Sequence, residues 1–97
     1  MSIGLNKVLL IGTVIAKTDC GADGLRLIVQ TYSEVNGTVD HSVVLPDKLA
    51  AAVGKYVTVG RLVYIEGRLT SRTDGGILVR EVAARRLDLL GPRPAEV

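Results

Sequence analysis

Cys20 and His41 are the only cysteine and histidine in this 97-residue chain, so thiolate and imidazole chemistry must start with them. A Cys–His pair is the minimum for a thiolate nucleophile, but neither residue sits in a recognisable catalytic motif. A single cysteine excludes an intrachain disulfide. A zinc site built on one sulfur and one imidazole would need carboxylates for most of its ligands. The glycine spacing of "GADGLR" (21–26) suggests a phosphate loop, yet that segment precedes a strand pattern and not a helix. No paired acid and base or nucleophile triad is visible. Enzymatic activity therefore ranks last, and no cofactor or metal is expected.

The chemistry that remains is charge and stacking. Twelve basic and ten acidic residues leave a formal net charge of +2, which does not by itself demand a polyanionic partner. The distribution says more. Arg61, Arg68, Arg72, Arg80, Arg85, Arg86 and Arg93 all follow residue 60, and only Arg26 precedes them. Five acids are interleaved there, which makes a mixed surface and not a basic tail. Tyr32, Tyr56 and Tyr64 are the only aromatics.

These residues need a scaffold. The length fits one domain, read as residues 1–91 with a short C-terminal tail at 92–97. Apolar residues make up 47% of the chain, but no run is long enough to span a bilayer. "MSIGLNKVLLIG" lacks the charged start and small-residue cleavage site of a signal peptide, so a soluble, cytoplasmic, nucleoid-associated protein is expected.

Residues 5–16 are apolar on both faces and read as a long strand, with Gly12 as its bulge or bend. "TDCGADG" is turn chemistry. In 25–33, Leu25, Leu27 and Val29 share one face, and Arg26, Ile28, Gln30 and Tyr32 share the other. Asn36-Gly37 marks a hairpin into a third strand at 38–45. Asp47 is expected to cap a short helix that Gly54 ends. "RLVYIEGRLTSR" (61–72) begins apolar on both faces and ends with one basic face, as a strand does when it leaves a barrel wall to become a projecting hairpin. "TDGG" makes the turn, and 77–90 fits a fifth strand better than a helix. Three strands, a helix and two strands are the layout of an all-β OB-fold, a five-stranded Greek-key barrel with one short helix between strands 3 and 4.

Four segments in order, "LNKVLLIG", "DHSVVLPDKLA", "VGRLVYIEGRL" followed by "TSR", and "LDLLG", resemble the bacterial single-stranded DNA-binding proteins. The resemblance spans nearly the whole chain. It implies an OB-fold, a homo-oligomer (a tetramer ahead of a dimer), single-stranded DNA wrapped over basic and aromatic surfaces, and no enzymatic activity. The implied setting is DNA replication, recombination or repair, alongside replication or repair proteins.

The departures from that family matter as much. Asp40 stands where the family usually has a tryptophan before the histidine of the third strand. Pro46 stands at a usual aromatic position, and the hairpin "SRTDGG" carries no tryptophan. The loop between strands 2 and 3 is shortened to "SEVNGT". Each stacking platform is worth about 1–3 kcal/mol per base, so binding is expected to weaken unless Tyr32 and the arginines compensate. After "GPRPAEV" there is no acidic tip, which reads either as a tailless member or as a chain cut short of its tail. Primosomal replication protein N is a tailless relative of this kind, and an interaction module with weak or no DNA binding is the alternative function.

On this resemblance Lys7, in "NKV", and Lys48, before "LA", are candidate phosphate contacts; solvated surface lysines are the plainer reading. Arg68 and Arg72 are candidate clamps on the hairpin, with Glu66 as an ion-pair partner for one of them. Arg26 shares the outer face of strand 2 with Tyr32, the best stacking candidate. His41 falls where the family places a histidine near the subunit interface. Cys20 reads as a surface thiol in a turn.

Overall fold

Leu25, Leu27 and Val29 alternate with Arg26, Ile28 and Gln30, and in the computed structural model the first set is buried while the second is half-exposed. The structure describes residues 4–21 and 24–91. The elements are β1 (Val8–Asp19), β2 (Leu25–Ser33), β3 (Gly37–Leu45), α1 (Asp47–Val53) with a 3-10 turn at Gly54–Tyr56, β4 (Leu62–Asp74) and β5 (Ile77–Leu90). The tail assigned to 92–97 lies outside the described residues.

The strands close into a barrel in the order β1-β2-β3-β5-β4, with β4 returning to β1. All pairings are antiparallel except β3 with β5, which is parallel and short: Val43 faces Val82 and Val44 faces Ala83. The core is aliphatic throughout, built on Val14, Leu27, Val29, Val43, Leu45, Val57, Val63 and Ile65, all fully buried. Leu49, Ala50 and Val53 of α1 pack against it. No helix among the described residues is long and apolar enough to cross a membrane.

Several local expectations are corrected. β1 starts at Val8 and its irregularity falls between Val14 and Ala16, not at Gly12. Gly12 instead allows close approach, because a Cβ there would lie 2.4 Å from the Gln30 carbonyl oxygen. Asp47 does not cap α1; Pro46 occupies the N-cap without a side-chain bond. Gly54 keeps a right-handed conformation and passes the chain into the 3-10 turn. Residues 77–90 are strand throughout.

The β4–β5 hairpin runs from the barrel wall at Leu62–Leu90 to the last pair, Asp74 with Ile77. Gly75 and Gly76 close it with φ of +57° and +84°, the signature of a type I′ turn. Both strands outrun the barrel, which helps make the molecule 52 × 37 × 27 Å.

Candidate nucleic-acid interface

Asn6 docks the N-terminal segment onto β4. Its Nδ2 donates to the Leu69 carbonyl and its Oδ1 accepts the Leu69 N–H, both at 2.8 Å. The side-chain amide thus supplies the donor and acceptor of a neighbouring strand. This brings Lys7 beside Glu66 (3.7 Å) and walls off a groove of about 790 Å³ between the N-terminal segment, α1 and the β4–β5 pair. Lys7, Lys48, Arg68 and Arg85 line it, while Leu5, Leu49, Ala52 and Ala83 supply apolar surface. Gly67 lies in its wall; a Cβ there would meet the Ala83 carbonyl oxygen at 2.2 Å.

Three of the sequence candidates, Lys7, Lys48 and Arg68, therefore share one groove. Arg85 was not singled out from the sequence. It reaches the groove because β5 has an extra residue where Glu66 faces Arg86 and Gly67 faces Ala84.

Glu66 does not pair with Arg68 or Arg72 as expected from the face they share. It sits among Lys7 at 3.7 Å, Arg85 at 3.6 Å and Arg86 at 3.8 Å. These are long contacts. The Lys7 and Arg85 side chains are 53% and 77% exposed. Glu66 itself is 13% exposed, but no side-chain hydrogen bond joins it to either cation, so both can turn to another anion at lower cost than a short buried pair would impose.

The second acidic centre is different in kind. Glu81, on β5, is 4% exposed and takes hydrogen bonds from three strands. Arg26 donates through Nε to Oε2 at 2.7 Å and through NH2 to Oε1 at 3.2 Å. Ser42 donates to Oε2 at 2.8 Å, and Arg72 Nε to Oε1 at 2.6 Å. These bonds, those of Arg26 foremost, pull the Glu81 carboxyl down to about 2 although burial pushes it up. Glu81 holds both arginines further toward the charged form, with Asp74 assisting at Arg72. Removing one member of a buried ion pair typically costs about 3–5 kcal/mol, several times the worth of an exposed pair.

Arg26 and Arg72 are thus bound to Glu81 on the outer face of the barrel. Tyr32 lies on that face near the β2–β3 turn and is 73% exposed. Asp40 is also there, accepting a hydrogen bond from Gln30 at 3.0 Å. His41 faces Val29 across the strand pair and shares a 2.9 Å hydrogen bond with Thr31. Cys20 is a free thiol but half-buried and not plainly on the surface; its Sγ accepts from Arg26 NH1 at 3.4 Å.

The outer face of β1 and β4 carries a different feature. Leu9, Ile11 and Ile15 on β1 and Leu62 on β4 are exposed, and Tyr64 opposite Ile11 is half-buried. His41 lies off this stripe.

Solved structures share the architecture. The dimeric N-terminal domain of PriB protein from Thermoanaerobacter tencongensis superposes with a TM-score of 0.70 at 22% identity, over 90% of this chain and 98% of that one. The Plasmodium falciparum SSB in complex with ssDNA gives 0.72 at 23%, over 94% and 99%. The mitochondrial single-stranded DNA binding protein Rim1 from S. cerevisiae gives 0.69 at 16%, over 90% and 94%. The fold is an OB-fold. No protein-family model and no curated protein sequence matches the chain.

In this OB-fold the groove combines apolar walls with exposed cations. That pairing suits a strand whose bases are unstacked and whose phosphates stay near the rim. A duplex hides its base faces and offers the apolar walls nothing to cover.

Proposed function

We propose that this chain is a non-catalytic single-stranded DNA-binding protein whose OB domain, residues 1–91, acts as a homo-oligomer. The convergence of Lys7, Lys48, Arg68 and Arg85 on one groove with apolar walls carries the reading. The structural neighbours support it, since two of the three are described as single-stranded DNA-binding or as bound to ssDNA. The same proposal sets this binding in DNA replication or repair, in the cytoplasm. Self-association is supported by the apolar stripe of Leu9, Ile11, Ile15 and Leu62, which water would otherwise cover.

Fluorescence anisotropy of a labelled oligo-dT tests the reading, with duplex of equal length as control. Binding that prefers the single strand is expected, with log K falling against log salt at a slope of about −2 to −3 for three or four phosphate contacts. No binding at low salt, or equal binding of duplex, overturns it.

A further inference from the structure

The basic and aromatic positions that stand out in the sequence do not form one surface. Lys7, Lys48 and Arg68 line the groove. Arg26 and Tyr32 lie on the outer face of β2, the face OB-folds commonly offer to a nucleic-acid strand together with β3, and Arg72 reaches the same Glu81 from β4. We propose, resting on the single-strand reading above, that nucleic acid follows the groove and is kept off the outer face of β2 and β3, because Glu81 already fills that face's anion-binding groups.

The donor set around Glu81 is what a phosphate would seek. Two arginines and a serine hydroxyl converge on two carboxylate oxygens at 2.6–3.2 Å. Every nitrogen-bearing arm of Arg26 donates within the protein: Nε and NH2 to Glu81, NH1 to Cys20 Sγ. Arg72 gives Nε to Glu81 and pairs through NH1 with Asp74 at 3.3 Å. A phosphate arriving here would have to displace a buried carboxylate from its partners. It would also approach the uncompensated side of Asp40, whose one hydrogen-bond partner among the described residues is the neutral amide of Gln30.

The groove also holds a carboxylate, Glu66 at 13% exposure, but its ion pairs are longer. Lys7 and Arg85 touch Glu66 only at 3.6–3.7 Å, and Lys48 and Arg68 have no carboxylate within ion-pair distance among the described residues. Its cations are extended into solvent, and a polyanion gains them without breaking a short bond. The face with more arginine hydrogen bonds is therefore the one closed to phosphate.

The test uses the full chain, oligo-dT and two variants at exposed positions, each checked by thermal melting. Lys48→Glu/Arg68→Glu is expected to weaken binding by about tenfold or more at low salt and to flatten the salt slope by about 1.4, the loss of two single-strand phosphate contacts. Asp40→Asn is expected to leave affinity within about twofold, since no phosphate passes close enough to feel the charge. Tightening beyond that by Asp40→Asn, or indifference to Lys48→Glu/Arg68→Glu, overturns the proposal while the single-strand reading stands. An unaltered chain that fails to bind oligo-dT overturns both.

Discussion

Arg26 Nε donates to Glu81 Oε2 at 2.7 Å across a strand that belongs to neither residue. Arg26 is on β2 and Glu81 on β5, and β3 lies between them in the barrel. Ser42, on β3, joins the same carboxylate oxygen. One side chain thus ties three adjacent strands together, and Arg72 adds β4. Glu81→Ala is expected to destabilise the fold by about 2 kcal/mol, below the usual figure for a broken buried pair because both freed arginines reach solvent. The check is a urea titration in which the midpoint falls at unchanged slope.

The same carboxylate gives stability a pH dependence at the acid end. Its pKa is about 2 in the fold against an ordinary value of 4.5. Between those values the unfolded chain binds a proton that the folded chain does not. The contribution of Glu81 is therefore complete above pH 4.5 and declines as pH falls toward 2. Glu81→Gln is expected to remove this part of the acid dependence, seen as a flatter plot of unfolding midpoint against pH over that window.

Gly67 is fixed by backbone proximity. An added Cβ would sit 2.2 Å from the Ala83 carbonyl oxygen and 2.9 Å from its carbon, and neither belongs to a side chain that could swing away. Gly67→Ala is expected to cost about 2 kcal/mol or more. Gly75→Asn is the contrasting case: its Cβ would meet nothing within 4 Å, and Asn tolerates the left-handed backbone at φ +57°. Thermal melts of the two variants should separate clearly.

Ile11 is 59% exposed at the centre of the β1–β4 stripe. Ile11→Lys is expected to shift a self-associated chain toward monomer, read by sedimentation equilibrium, with the thermal unfolding of the monomer little changed. A chain already monomeric before substitution would remove the stripe's role in assembly.

The sequence marks what has a period or a turn. β2 occupies the 25–33 predicted from alternation and Gly75-Gly76 turn the second hairpin, while the first turns at 34–36, with Gly37, not residue 38, opening β3 opposite Ser33. Strand bulges leave no comparable mark. The extra residues near Ile15 and Arg85 shift the register after them, so which of Arg85 and Arg86 enters the groove could not be read from "AARR". Lys7, Lys48 and Arg68 were legible one at a time, but their convergence depends on Asn6 docking to Leu69. Glu81 was silent for a further reason. Its partners at 26, 42 and 72 lie on three other strands, and no local pattern announces a carboxylate that will be buried by distant cations.

The parallel pairing of β3 with β5 extends over just Val43–Val82 and Val44–Ala83. A cylinder yields first along its shortest seam, so thermal fluctuations should part the wall there while the β4–β5 ribbon stays zipped. Glu81 sits one residue before Val82, and its bonds to Ser42 and Arg26 cross that seam like a bolt. Amide hydrogens flanking Val43 and Val82 should then exchange with deuterium sooner than those in the middle of β4, and sooner still once the bolt is drawn.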